Sequence, residues 1–133
     1  LSAYFTINAA APVALARALA AGGGRAVVNI LDQRVKNPPR DQIAYTLSKQ
    51  ALAEATRTLA VALAPRVRVN GVAPGLTLPT GEYAPGQLEA LSEAMPLRRL
   101  ASPDEIASAV AYLTRAESVT GCTLFVDGGA HLA

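Results

Sequence analysis

A parallel α/β sheet is the fold class this sequence predicts, and three observations predict it. Helix-like and strand-like segments alternate along the chain, the strand-like segments are short and almost wholly apolar, and glycine or proline marks the junctions. Strands covered on both faces read as continuous apolar runs, whereas a half-exposed strand alternates. The order helix, strand, helix, strand, helix, strand then calls for right-handed crossovers, and ligands of such sheets bind at the carboxyl ends of the strands.

Each element has its own local reason. From Tyr4 to Ala20 apolar residues recur at helical spacing, with Leu15 and Leu19 on one face, and Gly22-Gly23-Gly24 ends the pattern. Ala26-Val27-Val28-Asn29-Ile30-Leu31 is the first strand, with Asp32 at its carboxyl end. After a polar loop holding Pro38-Pro39, an Ala- and Leu-rich helix runs from about Ile43 to Leu63 and Pro65 closes it. Val67 to Val72 reads as a second strand, turned at once by Pro74-Gly75. The stretch from Thr77 to Arg99 is interrupted by Pro79, Gly81, Pro85, Gly86 and Pro96 around one short helical piece, Gln87 to Ala94, and has the character of a lid. Ser102-Pro103-Asp104-Glu105 is a capping box with proline at the first helical position, so a helix should follow to about Arg115. Thr123 to Val126 makes the third strand, ended by Asp127-Gly128-Gly129.

Composition narrows the function. The 133 residues suffice for one domain, 1–133, and not for two. Hydrophobic residues make up 51% with no Trp and two Phe, so the core is built from Ala, Val and Leu. A net charge of +2, with no basic stripe interleaved with aromatics, argues against a nucleic-acid partner. The single cysteine, Cys122, permits no intrachain disulfide or thiolate metal cluster and suits a reducing cytoplasm; it reads as a small buried residue. No uninterrupted apolar run reaches the length of a membrane span, so no membrane partner is expected. The first residues, Leu1-Ser2-Ala3-Tyr4-Phe5, lack a Met and lead straight into a helix, so an incomplete chain is expected. His131, two residues from the end, reads as part of a frayed tail.

Tyr45-Thr46-Leu47-Ser48-Lys49 carries the chemistry. Residues at i and i+4 share a helix face, and a neighbouring ammonium stabilises phenolate, so Lys49 should lower the pKa of Tyr45 toward the range of a working general acid. The same spacing also describes a surface tyrosine beside a solvated lysine. Asp32, the Tyr45/Lys49 helix and Pro74-Gly75 should approach one edge of the sheet, which favours the chemical reading.

Asn8, the Val-Val-Asn-Ile strand, Tyr45-x-x-x-Lys49, Arg68-Val69-Asn70-Gly71-Val72-Ala73-Pro74-Gly75, the capped helix after Leu97-Arg98-Arg99 and Val126-Asp127-Gly128-Gly129 together resemble the short-chain dehydrogenase/reductase family. The likeness spans the chain but corresponds to the C-terminal half of that family's Rossmann-like, doubly wound parallel sheet. The glycine-rich turn that seats a cofactor pyrophosphate in the N-terminal half is not among these residues. By resemblance Tyr45 is the proton donor, Lys49 holds the nicotinamide ribose and Asn8 supports a proton relay. The alternative for Asn8 is local hydrogen bonding within its helix. Pro74, Gly75, Leu76 and Thr77 match the segment that contacts the cofactor.

Thirteen residues before the tyrosine, where most of the family carries serine, stands Asp32. Pteridine reductases carry aspartate there, and the run from Tyr45 to Leu52 also resembles that branch. Reducing a pterin C=N bond needs a proton at nitrogen, which an acid beside the tyrosine can relay. The resemblance thus implies an NADP(H)-dependent reductase acting on a dihydropterin or dihydrofolate, assembled as a homotetramer through the Tyr/Lys helix and the last helix and strand. A short-chain carbonyl reductase for 3-oxoacyl or small ketone substrates, with Asp32 as a strand-end turn residue, is the first alternative. A non-catalytic oligomerisation remnant is the second.

Overall fold

In the computed structural model, residues 2–78 and 80–133 are described. Three parallel strands, β1 (Ala26–Ile30), β2 (Arg68–Pro74) and β3 (Thr123–Val126), form one sheet in the order β1-β2-β3. The helices are α1 (Ser2–Phe5) and α2 (Ala11–Ala21), joined by a π-helical turn over Thr6–Ala10, then α3 (Ile43–Leu63), α4 (Gln87–Glu93) and α5 (Pro103–Arg115). The predicted α/β order is therefore observed, with the second strand beginning one residue later and running two residues further than the apolar run suggested.

β2 is the centre of the fold because it alone is paired on both edges. Its register sets Val69 against Val27 and Val72 against Ile30 on one side, and Gly71 against Thr123 on the other. Val69, Val72 and Ala73 are fully buried, as a central strand roofed on both faces requires. Alternate residues serve opposite faces. Val69 packs with Leu59 and Ala60 of α3, and Ala73 with Leu52, while Arg68 reaches the carboxyl end of α5 and Asn70 the loop that follows it. There Arg68 donates to the carbonyls of Leu113 at 2.7 Å and Thr114 at 2.8 Å, satisfying the unpaired carbonyls of a helix end and placing a cation at its negative pole. The Asn70 amide donates to the Val119 carbonyl and accepts from the Cys122 amide, both at 2.9 Å, and so fixes the entry to β3.

The capping box predicted for α5 is present in both directions: Ser102 Oγ accepts from Glu105 N, and the Glu105 carboxylate accepts from Ser102 N. The first helix departs from expectation. Its side toward α3 is lined by Ala16, Val13 and Ala20, whereas Leu15 is 70% exposed and Leu19 39% exposed. Small residues win that side because Leu59, Ala60 and Val67 lie against it. By length and composition the run Ser2–Ala21 is apolar enough to cross a membrane; in this fold it lies along α3. Cys122 is half-buried rather than buried. The C-terminal residues are not frayed, because His131 Nδ1 pairs with Asp127 Oδ2 at 2.8 Å and the imidazole stacks on Phe125 at 4.1 Å.

Asn70→Ala should leave the Cys122 N–H without its partner and the Val119 carbonyl with only the 3.5 Å contact from Arg68, and cost about 1–3 kcal/mol. A denaturant unfolding midpoint unchanged from wild type would contradict this account of how β2 anchors β3.

Candidate active site

The sheet brings most of the singled-out residues to one edge. A cleft of about 760 Å³ opens at the carboxyl ends of β1 and β2, lined by Asp32, Tyr45, Lys49 and the turn Pro74-Gly75-Leu76-Thr77. Tyr83 and Met95 from the segment between β2 and α5, and Ile106 of α5, also line it. Asp32 enters because β1 ends two residues earlier and the chain then turns into a short 3₁₀ segment, Gln33–Val35, which Asp32 caps. Tyr45 and Lys49 enter because α3 starts at Ile43 and presents one face of its first two turns to the cleft.

The central contact joins these two elements. Tyr45 Oη donates to Asp32 Oδ2 at 2.9 Å, while Asp32 Oδ1 accepts from the backbone N–H of Arg34 at 2.9 Å. The carboxylate is thus held by both oxygens and the phenolic proton points at it. Lys49 is turned elsewhere: its ammonium donates to the Ile30 carbonyl at 2.9 Å and lies 5.9 Å from the centre of the Tyr45 ring. Asn8 does not line this cleft. It lies in the π-helical turn, a form often found at functional positions, and donates through Nδ2 to the buried Ser48 Oγ at 3.0 Å. Ser48 in turn donates to the Tyr45 carbonyl at 2.6 Å. Asn8 borders a neighbouring cavity of about 440 Å³, and Lys49 lines both spaces.

The electrostatics differ from the sequence expectation. The Tyr45 pKa is raised rather than lowered: burial of the phenol is the largest cause, followed by the charge of Asp32 and the hydrogen bond to it. Arg34 is the cation that acts in the lowering direction. Burial pushes the Lys49 ammonium below its ordinary value, with Asp32 partly opposing. The physical reason is burial of the phenol first, and then contact with a carboxylate while Lys49 serves a backbone carbonyl.

Gly75 has a specific job in the turn after β2. A Cβ there would lie 2.7 Å from Asp127 Cβ and 2.8 Å from its Cα, so only glycine lets the turn pass this close to the end of β3. The Thr77 hydroxyl folds back onto the Gly75 carbonyl at 2.9 Å.

Sequence reading missed Arg34 and Tyr4. The Arg34 guanidinium lies 5.7 Å from the centre of the Tyr45 ring and donates to Gln42 Oε1. Tyr4 meets Tyr45 edge-on at 5.9 Å. A position two residues past an aspartate carries no periodic signal, and an N-terminal aromatic gives none of its destination.

A tyrosine hydrogen-bonded to an acid at the carboxyl edge of a parallel sheet, with a lysine one turn on, is an arrangement that can hold and pass a proton. A family model described as enoyl-(acyl carrier protein) reductase matches residues 1–131, and the chain belongs to the short-chain dehydrogenase/reductase family. Among solved structures, it superposes with a TM-score of 0.93 on the alternative dihydrofolate reductase 1 FolM of Brucella suis, solved in complex with NADP, at 42% identity over 99% of this chain and 55% of that one. Pteridine reductase 1 of Leishmania tarentolae is 35% identical over 99% of this chain and 47% of its own length. The L-tagatose-forming galactitol 2-dehydrogenase of Cereibacter sphaeroides is 39% identical over 87% of this chain and 49% of its own. The chain therefore spans about half the length of these relatives.

Gly75→Ala should force the turn away from Asp127 and cost about 1–3 kcal/mol through overpacking. A variant with wild-type thermal stability would contradict the close approach.

Proposed function

We propose that this chain carries the reaction centre of an NADPH-dependent oxidoreductase of the pteridine reductase type, which reduces the C=N bond of a dihydropterin or a dihydrofolate. The observation that supports this most is the hydrogen bond from Tyr45 Oη to Asp32 Oδ2, 2.9 Å long and set in the wall of the cleft. A serine at that position could orient a carbonyl oxygen, but its hydroxyl is a poor proton reservoir. A carboxyl group can take up and release a proton, and it stands in contact with the phenol that delivers one. The likeness to proteins named pteridine reductase and alternative dihydrofolate reductase supports the same substrate class.

The residues present fit a nicotinamide cofactor. The Lys49 ammonium borders both the cleft and the cavity beside it, and Gly75 keeps the Pro74–Thr77 turn close to the sheet. Lys49, Tyr45, Pro74, Gly75, Leu76 and Thr77 would hold the nicotinamide end. NADPH, when bound, supplies the hydride. Tyr45 gives up its phenolic proton to the substrate nitrogen, and Asp32, which accepts the phenol's hydrogen bond, is placed to take up a proton from water and pass it to the phenolate. Asn8 supports the arrangement from behind, through Ser48 and the Tyr45 carbonyl. Self-association as a homotetramer would use α3, where Val61 is 81% exposed, together with α5 and β3.

A carbonyl reductase is the second reading, favoured by the similarity to galactitol 2-dehydrogenase, whose name describes oxidation at a carbon bearing oxygen.

Tyr45→Phe should lower kcat by about two to four orders of magnitude in an NADPH oxidation assay with dihydropterin. Asp32→Ser should depress dihydropterin reduction by at least about tenfold more than the reduction of any ketone substrate; equal losses on both would exclude the pterin role of Asp32. The alkaline limb has a definite sign. Lys49 sits below its ordinary 10.5 and Tyr45 is pushed far above that same value, so rising pH removes the ammonium before it ionises the phenol. The limb of kcat/KM should therefore fall below pH 10.5 and move upward in Lys49→Arg, whose charge persists. A limb at the same pH in that variant would show that Lys49 does not set it.

A further inference from the structure

We propose that Gln33 recognises the substrate: its side-chain amide, set in the cleft wall next to Asp32, pairs with the lactam edge of the pterin ring, where an N–H donor and a carbonyl acceptor stand side by side. The inference rests on the reading of the cleft as a dihydropterin or dihydrofolate site, and it names the part of that substrate the cleft reads.

The starting observation is an oxygen without a partner. Gln33 Oε1 is buried and accepts no hydrogen bond among the described residues. Native folds rarely leave a buried acceptor in this state, because the group has lost its water and gained no partner. Thr46 Oγ1 is in the same condition, but Thr46 does not line the cleft, whereas Gln33 does. The polar side chains near Gln33 are engaged. Asp32 accepts from Tyr45 and from the Arg34 N–H, the Lys49 ammonium donates to the Ile30 carbonyl, and the Thr77 hydroxyl donates to the Gly75 carbonyl. The Arg34 guanidinium donates to Gln42. The Gln33 oxygen is left for a ligand to satisfy.

The backbone fixes where this amide can act. Gln33 opens the 3₁₀ turn that follows β1, and its carbonyl accepts from the N–H groups of Lys36 at 3.1 Å and Asn37 at 3.3 Å. The Asn37 side chain in turn donates to the Ala130 carbonyl at 3.2 Å, which ties the turn to the C-terminal segment. With the main chain held, a rotation about the last side-chain torsion brings the oxygen out of the wall. That torsion is broad in glutamine, so the rotation costs little.

Chemistry selects the edge. A primary amide carries an acceptor and a donor in one plane, and it pairs bidentately with a heterocycle edge that offers a donor and an acceptor together. A pterin lactam is such an edge, whereas a ketone offers an acceptor alone. In a dihydropterin the lactam carbonyl and the ring nitrogen of the C=N bond are joined through one ring-fusion carbon. A side chain one residue from Asp32 is therefore close to that edge when the nitrogen faces Tyr45.

The test compares two fluorescent ligands, pterin and pterin methylated at its lactam nitrogen, bound to the NADP-loaded protein so that no turnover occurs. Wild type should bind pterin at least about tenfold more tightly than the methylated ligand, the scale of one or two hydrogen bonds. Gln33→Met, similar in size and without an amide, should reduce that preference to about twofold or less and should melt no lower than wild type, because the stranded oxygen is gone. A merely structural role for Gln33 would lower the melting temperature and weaken both ligands alike, which would overturn the proposal. A preference that survives in Gln33→Met would also overturn it, as would a wild type without any preference, a result that needs no variant to fold. Dihydropterin turnover separates this outcome from the functional reading. A wild type that reduces dihydropterin while the preference survives in Gln33→Met keeps the reading and loses the Gln33 assignment. A wild type whose preference depends on Gln33 but which reduces no dihydropterin sinks the reading and leaves Gln33 as a lactam-binding residue. Binding of neither ligand overturns both.

Discussion

The contact between Tyr45 and Asp32 is the interaction on which the site depends, and most of the fold serves to make it. Asp32 comes from the end of β1 and Tyr45 from the first turn of α3, so the two meet only if the strand stops and the helix starts at fixed heights. The register of β1 on β2 sets the first height, with Leu31 N still bonded to the Val72 carbonyl before the chain turns. Packing of Leu52 and Leu59 onto the sheet sets the second. A slip of one residue in either would move a side chain to the wrong face and separate phenol from carboxylate.

The phenol behaves differently from a tyrosine beside a lysine chiefly because it is half-buried, which disfavours phenolate. The carboxylate in contact adds to this by repelling the negative charge and accepting the phenolic proton's hydrogen bond, while the ammonium is engaged with a carbonyl. The phenol therefore holds its proton more tightly than a free tyrosine does.

Much of the fold was legible because its signals are local. The apolar run of β1, the Ala- and Leu-rich periodicity of α3 and the capping box of α5 each depend on neighbours within a few residues, and each appears where the pattern put it. The ends of β2 were not, because its last residues, Ala73 and Pro74, extend the strand only through pairing with Phe125 and Val126. The leucines of α2 gave a face but not what lies against it, and the structure leaves them uncovered. In the site, Tyr45, Lys49 and Asp32 were legible by spacing and resemblance, yet the direction of the Tyr45 shift was not, since it depends first on how far the phenol is buried and then on which neighbour each side chain turns toward. His131 was misjudged for a similar reason: nearness to the end of the sequence says nothing of an aspartate one turn earlier or of Phe125 beneath the ring.

The most direct measurement of the central claim is the specificity constant of the unmodified protein, at fixed NADPH, for a dihydropterin and dihydrofolate against a 3-oxoacyl thioester and a small ketone. A reaction centre with a carboxyl group behind its proton donor should favour the C=N substrates by at least about tenfold, a difference of roughly 1.4 kcal/mol in transition-state stabilisation. A clear preference for the carbonyl substrates would contradict the account and leave Asp32 as a turn residue that happens to touch a tyrosine.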